Sequence, residues 1–247
     1  MILNGQKILV TGASRGIGKA CALKCAEEGA RVVLVARDRG KLEEVCGLLP
    51  GSGHMIVPAD FQNPEESVPD LFAAACADGV KLNGLVHAAG IGISAPVNVT
   101  SMNSMMESFS VNYFAFMLMV RQFTRKKYSD GGSIVAISSI AAVAGWKGAS
   151  VYAGTKGALN ASVRALAIEL ADKKVRVNAV LPSNIKTELL EKMIQVSETI
   201  VQDLGKKQPL GIGAPEDVAN AVLFLLSPAS GFITGSALAV DGGYTAM

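Results

Sequence analysis

The sequence predicts one α/β domain: a doubly wound parallel sheet of about seven strands with helices on both faces. Three observations predict it. Short β-branched and apolar runs alternate with longer helical patterns from Lys7 to Val240. Runs such as Val32–Val35 are apolar without a break, as strands covered on both faces are. A glycine-rich turn, Thr11–Gly18, separates the first such run from the first helical segment. A chain of 247 residues suits a single α/β unit, and no linker-like or low-complexity stretch divides it. A hydrophobic content of 50% excludes intrinsic disorder. With 23 basic against 21 acidic side chains, the net charge of +2 argues against a nucleic-acid binder that works through bulk electrostatics.

Taken in order, Lys7–Val10 is a strand, and Gly16–Gly29 a helix closed by glycine. Arg31–Ala36 is the second strand, followed by a helix around Lys41–Leu49. Met55–Pro58 is a short third strand, and Pro64–Ala77 a helix with proline in its first turn. Leu85–His87 is the fourth strand, ahead of one long helix within Asn103–Lys127. Ser133–Ser138, the helix Val151–Ala171 and Val175–Leu181 follow. Helical segments at Thr187–Leu204 and Pro215–Leu226 precede the last strand, Ala237–Val240.

Gly84–Met106 and Val218–Val240 are long and uncharged or nearly so, yet Pro, Gly, Ser or Asn breaks each, so neither reads as a membrane span. Met1–Lys7 lacks the pattern of a signal peptide. The expectation is a cytoplasmic protein with no membrane partner. Cys21 and Cys25 share a helix face, and with Cys46 and Cys76 they lack CxxC spacing. With His54 and His87 the only histidines, no metal site is expected, and the cysteines read as small core residues. His87 follows an apolar strand and reads as structural. Met102, Met105, Met106, Met117 and Met119 could line an apolar pocket; packing against the sheet or a neighbouring subunit is the preferred reading.

In the turn Thr11-Gly12-Ala13-Ser14-Arg15-Gly16-Ile17-Gly18, the glycines let backbone approach a diphosphate, and the next helix offers unpaired N–H groups and a positive dipole end. Its GxxxGxG spacing departs from GxGxxG and resembles the TGxxxGxG fingerprint of the short-chain dehydrogenases/reductases. The resemblance runs from Lys7 to Gly243, with later motifs in family order. It implies a single Rossmann-type domain over residues 1–247: 1–90 mainly for the dinucleotide, 103–187 catalytic, 188–210 a substrate lid, and 232–247 the last strand and subunit contact. The pattern is closest to the 3-oxoacyl-[acyl-carrier-protein] reductases.

Strand two ends at Ala36-Arg37-Asp38, where an acidic residue would hold a free ribose 2′-hydroxyl. Ala36 occupies that position by comparison with the family, and Arg37 with Arg15 suits a 2′-phosphate. NADP(H) is therefore preferred. A shift of two residues would make Asp38 the ribose acid, so NAD(H) stays open. The resemblance assigns Asp60-Phe61 to the adenine, and Gly12, Ser14, Arg15, Gly16, Ile17, Gly18, Ala89, Gly90, Pro182, Ile185 and Thr187 to the rest of the cofactor.

Tyr152-Ala153-Gly154-Thr155-Lys156 has the YxxxK spacing that puts both side chains on one helix face. A phenol near pKa ~10 is a sluggish acid at neutral pH, and a neighbouring ammonium would lower that value. Ser139 falls at the family's catalytic serine and Asn112 at its helix asparagine. The resemblance implies that Tyr152 passes the proton and Ser139 helps hold the carbonyl oxygen. Lys156 would tune Tyr152 and hold the nicotinamide ribose with it, and Asn112 would anchor a water. Two departures stand out: Ser183 replaces a glycine in Pro182–Thr187, and His87-Ala88 replaces the usual asparagines of NNAG.

The expected reaction is hydride transfer between nicotinamide and a carbonyl or secondary alcohol. A 3-oxoacyl thioester is one substrate; sugars, polyols and steroids are the alternatives, and a non-catalytic NADP(H)-binding protein is a third reading. Apolar Leu189, Leu190, Met193 and Ile194 in the lid suit an acyl group. Lys126-Lys127 and Lys173-Lys174 could dock an acidic acyl carrier protein. The last strand implies a homotetramer or homodimer.

Overall fold

Seven strands hydrogen-bond into one sheet: β1 (Lys7–Thr11), β2 (Arg31–Ala36), β3 (Met55–Pro58), β4 (Gly84–His87), β5 (Gly132–Ile137), β6 (Val175–Pro182) and β7 (Ala237–Val240). Their order is β3-β2-β1-β4-β5-β6-β7, and every pair is parallel. The computed structural model describes residues 1–92, 94–187 and 207–246. The expected helix from Thr187 and the lid with Leu189, Leu190, Met193 and Ile194 therefore fall almost wholly outside the described residues.

Alternation along each strand divides the core into two layers. Leu9, Val33, Val35, Leu85, Ile134, Ala136 and Val177 face one side, where α3 (Pro64–Ala75), α5 (Ala115–Phe123) and α6 (Ser150–Glu169) cover them. Ile8, Val10, Val32, Leu34, Val86, Val135 and Val180 face the other, under α1 (Gly16–Glu27), α2 (Arg39–Cys46) and α7 (Pro215–Leu226). Cys21 and Cys25 are buried in that second layer, and burial pushes the Cys25 thiol up to about 12. They pack as core residues.

Local chemistry explains the helix ends. Gly29, at φ +88°, closes α1 as its N–H donates to the Ala26 carbonyl. Proline opens α3, with Glu65 and Glu66 in the first turn where the dipole favours them. Helix α2 starts at Arg39, earlier than expected, because the Asp38 carboxylate accepts from the Lys41 N–H at 3.1 Å and caps it.

One expectation is corrected outright. The single helix within Asn103–Lys127 is three pieces: α4 (Met102–Phe109), a π turn over Ser110–Phe114, and α5. Met119 is fully buried and Met117 packs against the core, whereas Met102 and Met106 point to solvent. The cleft receives Glu107 and Val111 from this region instead of the methionines. Among the described residues no helix is long and apolar enough to cross a membrane.

Phe72 of α3 is fully buried, its ring 5.5 Å from that of Tyr128 in an edge-to-face contact. Phe72→Ala leaves a cavity under the sheet and is expected to cost about 3–5 kcal/mol. A urea titration checks this as a fall in midpoint at unchanged slope.

Candidate functional site

The connections from β1 and β4 leave to opposite faces, so the chain opens a crevice at the carboxyl ends of these strands. A cleft of about 590 Å³ lies there. Its floor is the glycine turn. Gly12 and Gly16 take φ +67° and +54°, and a Cβ on Gly18 would stand 2.2 Å from the Gly12 carbonyl oxygen. Only glycine lets the turn fold back on itself this tightly. The start of α1 carries no acidic residue and no side-chain cap, so its dipole presents a positive end beside Gly16, Ile17 and Gly18, which line the cleft. Backbone that close suits a diphosphate.

Thr11 ties this floor to the next strand. Its Oγ1 accepts from the N–H groups of Ala88 and Ala89 at 3.1 and 3.0 Å, which commits its proton to His87 Nδ1, 3.2 Å away. His87 is fully buried between Phe61 and Phe116. Burial, then the charge of Lys156, lowers its pKa to about 3, so it stays neutral and structural as expected. The exchange of the usual asparagines for His87-Ala88 leaves Ala88 and Ala89 lining the cleft with Gly90.

At the far end, β2 stops at Ala36, and Arg15, Arg37 and Lys41 line the same stretch of cleft. Asp38 lies there too, but its carboxylate is engaged as the cap of α2. Lys41 was not among the expected residues; its place one turn after the cap was the available signal. Asp60 accepts from the Gln62 N–H at 3.1 Å, and Gln62 reaches Glu107 at 3.3 Å. Asp60, Phe61, Ser14 and Thr187 all line the cleft.

Asn112 and Lys156 meet beside Gly90, Tyr152 joins them through Lys156 and Ser139 through Tyr152; none of the four lines the cleft itself, which Gly90 bounds. A Cβ on Gly90 would stand 3.3 Å from Asn112 Oδ1 and 3.5 Å from Lys156 Nζ. Lys156 is buried, donates to the Ile137 carbonyl at 2.8 Å, and lies 5.6 Å from the centre of the Tyr152 ring. Burial lowers its pKa to about 8. The expected downward pull on Tyr152 is corrected here. Burial raises the phenol's pKa, and the opposing influence is the Ser139 hydroxyl, not the ammonium. The ammonium is committed to a carbonyl on β5. Ser139 also accepts from the Ala141 N–H at 3.1 Å, which fixes its side chain at the strand end.

Pro182 and Ile185 do not line the cleft as described. Pro182 ends β6 in register with Val240, and Ile185 is buried and bridged to Gly213. Thr187 brings the segment back: its Cγ2 would meet a Cβ on Gly16 at 3.4 Å. Among the described non-glycine residues only Lys174 has positive φ, so Ser183 occupies its family glycine position without left-handed strain.

Gly18→Ala drives a methyl into backbone. It is expected to weaken dinucleotide binding by at least about tenfold, while the Phe72–Tyr128 layer stays folded. Fluorescence titration with NADPH and far-ultraviolet circular dichroism check both halves.

The comparisons agree with this geometry. A family model described as Enoyl-(Acyl carrier protein) reductase matches residues 12–245. The chain is 36% identical to a tropinone reductase homolog of Arabidopsis thaliana over 249 residues, covering 98% of this chain and 93% of the relative. It is 36% identical to the 3-oxoacyl-[acyl-carrier-protein] reductase of Homo sapiens over 236 residues, covering 95% of each. A solved structure from Sinorhizobium meliloti 1021, designated a short-chain alcohol dehydrogenase, superposes with a TM-score of 0.91 at 30% identity, covering 99% of this chain and 98% of that one. A second, designated a 2-deoxy-d-gluconate 3-dehydrogenase from Agrobacterium tumefaciens and solved with bound NADP, gives 0.87 at 30% identity with the same coverage. With relatedness over nearly the whole length added to a doubly wound sheet and a glycine-floored cleft, the chain is an oxidoreductase that belongs to the short-chain dehydrogenase/reductase family.

Proposed function

We propose that the protein interconverts a carbonyl and a secondary alcohol with NADP(H), using Tyr152 as the proton donor in the reducing direction. The observation that carries the reading is that Lys156 and Asn112 meet beside Gly90, a residue of the cleft wall, with the Tyr152 ring 5.6 Å from Lys156 Nζ. When bound, the nicotinamide supplies the hydride. Ser139 donates to the carbonyl oxygen as charge develops there. Tyr152 is protonated at neutral pH, since burial raises its pKa, and can deliver its proton. Lys156, with Tyr152, would hold the nicotinamide ribose, and Asn112 braces the Gly90–Ile91 loop through its bonds to Ile91.

Arg15, Arg37 and Lys41 in the same stretch of cleft support a 2′-phosphate, while Asp38 has one carboxylate oxygen engaged as the cap of α2. The NADP held by the Agrobacterium structure is consistent with this choice. For the substrate, likeness to the human 3-oxoacyl reductase supports a 3-oxoacyl thioester, while likeness to the gluconate dehydrogenase supports a sugar. Lys126-Lys127 and Lys173-Lys174 precede β5 and β6, at the sheet edge opposite Ser139 and Tyr152. Assembly through β7 is supported by that strand's place at the sheet edge and by exposed Phe232 and Leu238 beside it.

Tyr152→Phe is expected to lower ketone reduction by about 10²–10⁴-fold and leave NADPH affinity within severalfold; retained turnover removes the proposed donor. Arg37→Ala should weaken NADPH by about ten- to a hundredfold, the value of a charge-assisted contact, with NADH little changed. Equal losses would mean the phosphate is read elsewhere. Reduction of acetoacetyl-CoA with NADPH and NADH side by side tests cofactor and substrate together. Turnover with NADPH alone supports both, and turnover confined to sugars or polyols shifts the substrate but keeps the chemistry.

A further inference from the structure

The four residues come from three places in the chain, Asn112 from the π turn, Ser139 from the end of β5, and Tyr152 with Lys156 from α6, and something must hold them in register. We propose that Thr155 is the positioning residue that does so, by joining Asn112 of the π turn to the main chain of Tyr152. Thr155 is fully buried. Its hydroxyl donates to the Tyr152 carbonyl at 2.8 Å and accepts from Asn112 Nδ2 at 3.0 Å. The proton is committed to the helix's own carbonyl, so the oxygen can only accept from its partner across the interface. Asn112 is fully buried as well and is gripped on its other edge by Ile91, whose N–H donates to Oδ1 at 2.8 Å and whose carbonyl accepts from Nδ2 at 2.9 Å.

The result is an unbroken chain of hydrogen bonds: Ile91 main chain, Asn112 amide, Thr155 hydroxyl, Tyr152 main chain. It crosses from the cleft wall, through the π turn, to the first turn of α6. Each link is 3.0 Å or shorter, and the one between Asn112 and Thr155 is buried, where an unmade bond costs most. The π turn is what brings Asn112 to this point, because a regular α-helical repeat would rotate it off the face it uses. Thr155 thereby sets the first turn of α6, which carries Tyr152, against the loop Gly90–Ile91 that walls the cleft. It touches neither the dinucleotide floor nor the arginine end, so its loss should misplace the phenol without loosening the nucleotide.

The inference rests on the oxidoreductase reading given above for its kinetic consequence, and the hydrogen-bond coupling can be read without turnover. Thr155→Val keeps the shape and removes the hydroxyl; Thr155→Ala does so with a smaller side chain, so that misfit of valine is not mistaken for a lost bond; Thr155→Ser restores it. Both hydroxyl-less variants should lower kcat for ketone reduction about ten- to a hundredfold, hold NADPH affinity within about threefold, and leave Thr155→Ser within about threefold of the parent. Loss in the serine variant equal to that in valine, or full activity in valine, overturns the proposal. Melting temperatures of Thr155→Val, Asn112→Ala and the double variant give the second readout. Coupling predicts a double variant within about 2 °C of the worse single one, and additive shifts overturn the link. A parent protein inert toward every carbonyl tried would overturn the oxidoreductase reading alone, and the melting cycle would still decide the link between Thr155 and Asn112.

Discussion

Two hydrogen bonds into one threonine oxygen hold the working edge of this protein together. At the switch in strand order, β1 and β4 are neighbours whose continuations leave for opposite faces of the sheet. Nothing in the ladder itself keeps their far ends together. Thr11 closes that gap by taking the N–H groups of both Ala88 and Ala89, which would otherwise be orphaned where the ladder stops. The glycine turn grows from one side of this junction and the Gly90–Ile91 wall from the other. Gly12 packs so closely on the Ala88–Ala89 peptide that a Cβ would stand 2.8 Å from the Ala88 oxygen. The floor of the cleft is therefore shaped by main-chain contacts.

The two ends differ electrostatically. Around Arg15, Arg37 and Lys41 the cleft is open and cationic, suited to a multiply charged phosphate. Around Tyr152 the groups are withdrawn from water, and burial weakens each charge: Lys156 is lowered to about 8, His87 to about 3, and the Tyr152 phenol is held in its protonated form. Hydrogen bonds offset the desolvation, from Lys156 to Ile137 and from Thr11 to His87.

Much of this was legible from residue order. Strand alternation and glycine spacing revealed the sheet and the cleft floor because both follow from local backbone geometry. Tyr152 and Lys156 were legible from helical spacing, and Ser139 and Asn112 from the resemblance. What stayed hidden depends on three-dimensional surroundings. Asp38 reads equally as a ribose acid and as a helix cap until the position of the Lys41 N–H is known. The upward shift at Tyr152 follows from its burial, and YxxxK spacing does not say that the Lys156 ammonium goes to Ile137. The π turn has no proline or glycine to announce it in Ser110–Phe114, since it is a slip in hydrogen bonding and not a matter of composition.

That slip has a bearing on how this stretch is aligned and redesigned. A π turn adds one residue to a helical repeat, so everything beyond it is rephased by about 100° relative to a continuous α-helix. The outward stripe of Met102 and Met106 and the inward stripe of Phe116, Met119 and Phe123 consequently belong to two different helical wheels. Deleting a single residue between Ser110 and Phe114 would leave a sequence with better α-helical regularity and a worse protein. The downstream apolar stripe would keep its phase, because the π turn already absorbs that one residue, but the asparagine would leave its pocket.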